Sequence, residues 1–410
     1  MRSDSGLIPA SILLPAPGID LQKWAVVACD QFTSQPDYWA RVRSFVADAP
    51  STLKIVQPEI DLDRAEENIP AINAEMRAYL EKGILRTRVE DGFIVVERTT
   101  DSGVRLGLMA CVDLEDYDFT PGARALIRAT EETIAARVPP RVRIRRDAPL
   151  EAPHVMLLID DPGCTAVEAA YAASNTGEAL YDFELMEGGG HLRGWKVANP
   201  DALLTALSAL RGSPDDFLYV AGDGNHSLAT AKACWEEIRP SLTGTEKARH
   251  PARFALVEIV NLHSPALTFE PIHRVLFGVD AERFAADIRE SLRARGFRPE
   301  AGGEIRFISE NGESGIRLDG AGELLPVAAL QPALDEYLAA HPNVRIDYVH
   351  GEAAVRELSR TRDTVGILLT SIPKRALFPA VRAGGVLPRK TFSMGEAQEK
   401  RYYMECRRIR

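Results

Sequence analysis

Residues 217–227 read FLYVAGDGNHS and join an apolar run directly to a polar turn that contains two glycines. The apolar run has the length and the composition of a buried strand. After the turn, Leu228, Ala231, Trp235 and Ile238 recur at helical spacing, which predicts a helix over 226–238 whose stripe packs inward. The segment therefore predicts a strand, a turn and a helix in direct succession, the unit from which α/β sheets are built.

The same alternation of short apolar runs with helical patterns continues on both sides of this segment. Further strands are predicted at 24–29, 155–159, 254–260, 344–349 and 365–369, and further helices at 62–82, 121–137, 165–180, 200–211, 281–295, 331–340, 351–360 and 374–382. Three more strands, 84–89, 93–99 and 104–114, are separated by turn signals, which predicts an antiparallel meander. The predicted fold class is α/β, with a mixed sheet rather than a purely parallel one. We divide the chain into an N-terminal lobe with the meander (1–120), a central α/β region with the glycine turn (121–278) and a C-terminal α/β region (279–410).

Composition and charge narrow the classes of function. The chain has 410 residues, 45% of them apolar, and a formal net charge of −10, so it offers no overall basic surface to nucleic acid or to an anionic membrane. Its five cysteines are scattered and form no C-x-x-C pair, which suits a reducing compartment better than a disulfide framework. The N-terminus makes a poor signal peptide, and no run approaches the roughly 18 apolar residues of a membrane-spanning helix. We therefore expect a cytoplasmic protein with neither nucleic acid nor membrane as partner, and the oligomeric state stays open.

Residues 222–227, called the Asp223 turn below, place polar groups where a predicted strand ends and a predicted helix begins, the usual place of ligands in α/β sheets. The first N–H groups of a helix have no intrahelical partner, and the helix dipole favours an anion there. Gly222 and Gly224 let the backbone approach a ligand closely. Asp223 can bind a metal or orient His226, and His226 can donate to a phosphate or carry a proton.

A purely structural reading of the Asp223 turn is the alternative. In that reading Asp223, Asn225 or Ser227 caps the helix, and His226 is a structural residue whose hydrogen bonds are made within the protein. The sequence contains no G-x-x-x-x-G-K-[ST] stretch, so it does not predict a P-loop.

Other polar residues follow predicted strands or lie on predicted helices. Glu131 lies in the stretch TEET (130–133) of the helix predicted over 121–137, where it can take a proton from a hydroxyl, bind a metal, or be one of a solvated pair. His273 and Arg274 follow a predicted strand, and the arginine suits a bidentate phosphate contact or a structural ion pair. Asp30 ends the predicted strand 24–29 and can face the same cleft or form a turn.

An ordered set of short stretches along the chain carries a family resemblance. They are KWAVVACDQFTS (23–34), DAPSTL (48–53), RATEET (128–133), APLE (148–151), GDGNHS (222–227), PIHR (271–274) and LPRKTFSMG (387–395). Together they resemble domain of unknown function (DUF) 1015, a family of bacteria and archaea, over essentially the whole chain. Many members of that family have Asp-Gly-His-His-Arg where this chain has DGNHS at 223–227.

The longer form of that turn resembles the phosphate-binding turn of the ParB and sulfiredoxin superfamily, which includes nucleotide-binding partition proteins, sulfiredoxins and kinases of free serine. The resemblance implies a nucleotide phosphate at the start of the helix that follows Asp223. Ser227 stands where the longer form has arginine, so another cation must neutralise the phosphates. The candidates are Arg274 beside His273, Arg137, Arg141, Lys390, and a Mg²⁺ ion on Asp223 or Glu131.

We therefore expect a nucleotide-dependent phosphotransferase, a small-molecule kinase that acts on a hydroxylated metabolite such as free serine. Its nucleotide is ATP or ADP, and Mg²⁺ is the expected metal. The expected catalytic residues are Glu131, Asp223 and His226, with Asp223 also as metal ligand, and the expected phosphate-binding residues are Gly224, Asn225, Ser227, His273 and Arg274. The alternatives are a nucleotide-binding regulatory module without turnover and a hydrolase.

Overall fold

A computed structural model of the chain describes residues 4–213, 216–320 and 324–410. Its strands, numbered in chain order, are β1 (Leu7–Ile8), β2 (Ala10–Pro15), β3 (Leu85–Gly92), β4 (Ile94–Thr100), β5 (Gly103–Asp113), β6 (Tyr117–Asp118), β7 (Ile127–Ala129), β8 (Leu150–Glu151), β9 (Met156–Ile159), β10 (Tyr181–Glu184), β11 (His191–Lys196), β12 (Tyr219–Asp223), β13 (Phe254–Asn261), β14 (Phe269–Phe277), β15 (Arg298–Ser309), β16 (Gly312–Asp319), β17 (Arg345–His350), β18 (Thr364–Leu369), β19 (Phe392–Met394) and β20 (Arg407–Arg408). The strands predicted at 155–159, 217–221, 254–260, 344–349 and 365–369 are confirmed as β9, β12, β13, β17 and β18.

Eight of the nine predicted helices are present in the part of the chain that the structure describes. The helices are α1 (Leu21–Trp24), α2 (Pro36–Val46), α3 (Ala65–Glu81), α4 (Val138–Arg146), α5 (Val167–Ser174), α6 (Pro200–Ala209), α7 (Asn225–Ile238), α8 (Gly244–Arg249), α9 (Ala281–Ala294), α10 (Pro326–Ala340), α11 (Glu352–Leu358) and α12 (Leu377–Gly384). The eight that were predicted are α3, α5, α6, α7 and α9 to α12. The α/β fold class is confirmed by this mixture of helices and mixed sheets. No helix among the described residues combines the length and the apolarity needed to cross a membrane.

The described residues form two compact units, and neither is continuous in sequence. Unit 1 takes in the described residues up to Ala129, then Thr133–Leu267 and Gly395–Arg410. Unit 2 takes in Thr130–Glu132 and Thr268–Met394. The division into 1–120, 121–278 and 279–410 concerned continuous stretches of chain, and it stays a prediction.

Unit 1 is built on a large mixed sheet with the strand order β10-β11-β4-β5-β13-β9-β12-β7-β6, and β1 pairs with β5. β13 and β9 are parallel, as are β12 and β7, whereas β12 and β9 are antiparallel. In β5, Leu108 and Ala110 pack into one apolar core, while Met109 and Cys111 pack into the other. Successive side chains of a strand point to opposite faces, so this sheet is covered on both sides. That burial explains why the run at 217–221 is apolar throughout instead of alternating.

Unit 2 contains a smaller sheet with the order β16-β15-β18-β14-β17, and β19 pairs with the beginning of β14. All of these pairings are antiparallel. His273 and Arg274 lie inside β14 rather than after a strand, which corrects the sequence-based placement of both residues.

Two elements near the N-terminus differ from the prediction. The run 24–29 forms no strand, because α1 ends at Trp24 and only Val27 makes an isolated bridge, to Tyr402. The three strands of the expected meander are present, and β4 and β5 pair antiparallel, but β3 pairs with β2 rather than with β4. In both places the partner comes from a distant part of the chain, which a local pattern does not encode.

The helix predicted over 121–137 is wrong. Residues 127–129 form β7, which lies between β6 and β12, and Glu131 makes an isolated bridge to Leu387. Helix α4 begins only at Val138, and it has proline in its first turn. Proline is well tolerated at the start of a helix, which suits this later beginning. Residues 127–129 are instead drawn into the sheet by parallel pairing with β12 and β6, a partnership that the local pattern does not encode.

The segment Gly395–Arg410 packs within unit 1, and its residues from Arg401 to Arg407 are buried. Arg407 Nε donates to Glu151 Oε1 at 2.7 Å, and Arg145 Nη2 donates to the other oxygen of Glu151 at 2.5 Å. Burial alone would raise the pKa of the Glu151 carboxyl, but Arg407 and Arg145 outweigh it and lower the pKa. The charged carboxylate therefore stabilises the fold at neutral pH, and this contribution is lost as the pH falls through the lowered pKa.

We expect Arg407→Met to lower the free energy of unfolding by about 3 kcal/mol, because it leaves a buried carboxylate with one cation fewer. Urea unfolding at pH 7 measures the loss. Arg146→Met is the control: it removes an ion pair with Glu237 whose side chains are 50% and 46% exposed, and it should cost less than about 1 kcal/mol. Equal losses for the two variants would contradict a stabilising role of the buried pair.

Candidate functional site

The strand, turn and helix predicted around Asp223 are confirmed. β12 is buried from Tyr219 to Ala221 and ends at Asp223, and α7 begins at Asn225. Between them Gly224 adopts a left-handed conformation with φ 74° and ψ 25°. This conformation reverses the chain within one residue, so the polar groups of the Asp223 turn lie at the first turn of α7.

Glycine is required at position 224 for a second reason, which is space. A Cβ atom there would lie 2.9 Å from the Cα of Val155 and 3.4 Å from Cδ2 of His154. The first distance is shorter than real Cβ contacts, and a backbone atom cannot rotate away. The turn therefore packs its backbone directly against the residues that precede β9.

The first turn of α7 contains N–H groups that have no intrahelical partner. The first intrahelical bond runs from Leu228 N to Gly224 O, so the N–H groups of residues 225–227 lie ahead of it. No side chain caps the helix: Asp223 Oδ1 accepts from Gly224 N at 2.9 Å instead. The side-chain oxygen of Asn225 is enclosed without a hydrogen-bond partner among the described residues. The simple capping role of Asp223, Asn225 or Ser227 is thus not what the side chains perform.

A lysine that the sequence did not single out lies beside this turn. Lys400 Nζ is 3.2 Å from Asp223 Oδ2, and the two side chains are 11% and 23% exposed. The same lysine affects Asp30, which is half-buried. Burial alone would raise the pKa of Asp30, but His154, the Gln31 amide and Lys400 outweigh it and lower the pKa. Unit 1 therefore brings Asp30 and Asp223 to one cation, and Asp30 is ionised at neutral pH.

A histidine and a buried tyrosine complete this cluster. The hydroxyl of Tyr403 lies 3.0 Å from Nδ1 of His154 and accepts the backbone N–H of Cys29 at 2.9 Å. Tyr403 is 1% exposed, whereas His154 is half-buried and lies against Gly224. The sequence alone did not single out either residue.

His226 has a different environment from the one expected. Its Nε2 accepts the backbone N–H of Ile134 at 3.2 Å, and its carbonyl accepts the hydroxyl of Thr230 at 2.7 Å. That ring nitrogen is engaged by the segment after β7 and cannot donate to a phosphate in this arrangement. The contact fits the structural alternative for His226, and a catalytic role for it stays a prediction.

The remaining predicted residues lie in unit 2. The Glu131 carboxylate accepts the backbone N–H groups of Lys390 and Thr391 at 3.2 and 3.0 Å. Burial raises the pKa of Glu131, against the opposing effect of those hydrogen bonds. A carboxylate that holds two N–H groups of one loop is built to fix that loop, and its use as a base stays a prediction.

The two residues in β14 are enclosed. Arg274 is 0% exposed, donates to Gln331 Oε1 at 3.2 Å and lies 5.2 Å from the ring centre of Tyr348. Burial lowers the pKa of Arg274 to about 10 and that of His273 to about 4. The ring of His273 is neutral, and its Nδ1 accepts the N–H of Leu369. His273 is 5% exposed and Arg274 is fully buried, so both side chains are enclosed as unit 2 is folded.

The other candidate cations from the sequence are Arg137, Arg141 and Lys390. Arg141 forms an ion pair with Glu59, and Arg137 and Lys390 are exposed. Among the residues that the structure describes, no group of three or more His, Cys, Asp or Glu side chains could hold a metal ion. Both oxygens of Asp223 already have partners, in Gly224 N and Lys400. The donor set therefore does not fit a Mg²⁺ ion held by the protein alone.

Most of the stretches that form this site also fall within a known protein family. The family described as protein of unknown function, DUF1015, matches residues 13–337, which include Asp30, His154 and the Asp223 turn. The chain belongs to the DUF1015 family. Among curated proteins, none matches this DUF1015 chain.

Solved structures similar to this DUF1015 protein are distant. A variant of free serine kinase in complex with ADP has 11% sequence identity and a TM-score of 0.42, over 73% of this chain and 92% of that chain. A conserved hypothetical protein from Pyrococcus furiosus has 12% identity and a TM-score of 0.37, over 70% and 90% of the chains. SbnI with a C-terminal truncation, from Staphylococcus aureus, has 9% identity and a TM-score of 0.36, over 70% and 82%. At such low similarity no activity is transferred from them.

A non-glycine residue in the left-handed conformation costs about 1–2 kcal/mol. We expect Gly224→Ala to lower the free energy of unfolding of this DUF1015 protein by more than that, because the added Cβ also meets the backbone of Val155. Gly188→Ala is the matched control, since Gly188 has φ +73° and nothing within 4 Å of an added Cβ. Urea unfolding of both variants measures the difference. The packing argument fails if the two losses are the same.

Proposed function

We propose that this protein is a nucleotide-dependent phosphotransferase that acts on a small hydroxylated metabolite, with free serine as the first acceptor to test. The observation that carries the proposal is the Asp223 turn: a helix start without a side-chain cap, with Lys400 paired to Asp223 in unit 1 and close enough to Asp30 to lower its pKa. Phosphoryl transfer asks a protein mainly for positioning and for neutralisation of charge. Both are available from these groups.

The phosphates of ATP or ADP would bind at the start of α7. The N–H groups of Asn225, His226 and Ser227 precede the first intrahelical bond, and the dipole of a 14-residue helix favours negative charge at this end. Gly224, Asn225 and Ser227 thus keep the phosphate-binding role that the sequence indicated, and this role is a proposal.

Lys400 supplies the positive charge that Ser227 lacks. Its side chain is only 11% exposed, and its ammonium group lies at the amino end of α7 through its pair with Asp223. A lysine acts on phosphate as a point charge and needs no bidentate geometry. Lys400 therefore takes the place that Arg274, Arg137, Arg141 and Lys390 were expected to fill.

Asp30 is the group best placed to accept the proton of the acceptor hydroxyl. Its lowered pKa keeps it ionised at neutral pH, and it shares Lys400 with Asp223. Glu131 is the competing candidate, but its carboxylate accepts two N–H groups of the loop at 390–391 in unit 2. Mg²⁺ would enter with the nucleotide, held by the phosphates, because Mg²⁺ commonly keeps few protein ligands.

The direct test is incubation of the purified full-length chain with Mg²⁺, ATP or ADP and serine, followed by detection of phosphoserine by ³¹P NMR. Formation of the phosphate ester supports the proposal, and replacement of serine by a pool of hydroxylated metabolites extends the test to other acceptors. Nucleotide binding without any transfer would favour a regulatory module, and nucleotide breakdown without an acceptor would favour a hydrolase. Failure to bind either nucleotide at millimolar concentration would exclude both the phosphotransferase and the nucleotide-binding regulatory module.

We expect Lys400→Met to lower kcat/KM by about a hundredfold, the usual loss for one group that stabilises charge in a transition state. Lys390→Met is the control, because Lys390 is exposed and lies in unit 2. It should leave kcat/KM within about twofold of the wild type. A larger loss of kcat/KM for Lys390→Met than for Lys400→Met would indicate that Lys390, and not Lys400, neutralises the phosphates.

We expect Asp30→Asn to slow transfer by about 10²- to 10⁴-fold with little change in nucleotide affinity, because it removes a general base and not a phosphate ligand. Glu131→Gln should instead lower the melting temperature and leave the transfer rate nearly unchanged, because it weakens the hydrogen bonds that hold the loop at 390–391. Rates are measured at saturating nucleotide. The opposite pattern, a slow Glu131→Gln and a normal Asp30→Asn, would assign the base to Glu131.

A further inference from the structure

The ring of His154 lies directly beside the proposed phosphate site. In the antiparallel pairing of β12 with β9, Asp223 faces Met156, so residue 154 lies next to the start of α7. Cδ2 of His154 is 3.4 Å from the point where a Cβ of Gly224 would be. Cδ2 is bonded to Nε2 and not to Nδ1, so Nε2 is the ring nitrogen adjacent to the atom that lies against the glycine.

The opposite edge of the ring is held by Tyr403. The phenolic oxygen of Tyr403 accepts the N–H of Cys29 at 2.9 Å and lies 3.0 Å from Nδ1 of His154, and we assign its single proton to the bond with Nδ1. Burial raises the pKa of Tyr403 well above its ordinary value, which keeps the phenol protonated at neutral pH. Tyr403 is therefore a donor to His154.

This arrangement determines the tautomer of the histidine. A ring nitrogen that accepts a hydrogen bond carries no proton, so in the neutral ring the proton is on Nε2. The neutral ring then presents an N–H donor at Nε2, next to the ring atom that lies against Gly224. Tyr403 is buried and reaches the Asp223 turn through the imidazole, whereas His154 is half-buried and can touch a ligand.

We propose that Tyr403 is a positioning residue that fixes His154 with its Nε2–H directed at the Asp223 turn, where it donates to a phosphate of the bound nucleotide. This inference rests on the proposed function, because the acceptor is the nucleotide phosphate. It gives the site an imidazole N–H donor beside the ammonium group of Lys400. His154 and Tyr403 thereby join the residues that recognise the phosphates.

The first experiment reads the tautomer without any activity. Two-bond ¹H–¹⁵N NMR spectra of the full chain labelled at histidine report which ring nitrogen carries the proton, and His154→Gln identifies the signal of residue 154. We expect the wild type to show the Nε2–H form. Tyr403→Phe should shift that signal toward a mixture of tautomers, because Nδ1 loses its donor. An Nδ1–H form in the wild type, or an unchanged signal in Tyr403→Phe, would overturn the inference.

The second experiment measures ADP binding by calorimetry in the presence of Mg²⁺. We expect both Tyr403→Phe and His154→Leu to raise the Kd for ADP about tenfold, in line with the loss of one hydrogen bond to a charged group. His154→Gln should recover part of the affinity, since an amide can accept from Tyr403 and donate to the phosphate. If His154→Leu raised the Kd only by disturbing the fold, His154→Gln would not recover the affinity.

Tyr79→Phe is the control for the loss of a buried hydroxyl. Tyr79 is 1% exposed in unit 1, and its hydroxyl accepts the N–H of Ser51 at 2.9 Å. It should lower the melting temperature as Tyr403→Phe does but leave the Kd for ADP unchanged. Equal Kd values for the two tyrosine variants would overturn the inference while the proposed function stands. If the wild type binds no ADP at millimolar concentration, the proposed function falls and the phosphate partner of His154 falls with it.

Discussion

The Arg401 guanidinium, buried between two glutamates, is the contact on which the candidate site depends. Its Nε lies 3.0 Å from Glu258 and its Nη2 lies 2.5 Å from Glu405, and all three side chains are at most 5% exposed. A buried charge without its partner is strongly destabilising, so this part of the chain has one stable place in unit 1. Lys400 precedes Arg401 and Tyr403 follows it closely, which means that the same ion pairs determine where both groups lie.

The pair between Lys400 and Asp223 limits how strongly a phosphate would be held. A free lysine would gain a new anionic partner on binding, but Lys400 already has one at 3.2 Å. A nucleotide at the start of α7 would therefore replace or share a carboxylate instead of neutralising a bare charge, and the net gain is correspondingly smaller. The arrangement favours reversible binding of a substrate over tight retention of a cofactor.

Much of the fold could be predicted because burial imposes a local pattern. The stripe of α7 and the apolar run of β12 come from residues close together in the chain, and both were found from the sequence. The errors fall where the pairing partner is remote: Val27 bridges to Tyr402, and Glu131 bridges to Leu387. The site divides in the same way. The Asp223 turn is contiguous and was recognised, whereas Lys400 becomes visible only when the chain is folded, because no spacing rule links position 400 to position 223.

The groups around the Asp223 turn come from positions 30, 154, 223 and 400, and this wide separation has a kinetic consequence. Contacts between distant residues require the closure of long loops, and such contacts form slowly. The cluster is complete only after the sheet of unit 1 and its C-terminal segment have both assembled. A molecule that binds there would recognise the finished fold and no earlier species, and at a hundred times its Kd it would stabilise that fold by about 2.7 kcal/mol. Ligand occupancy would then also protect the protein against unfolding in the cell.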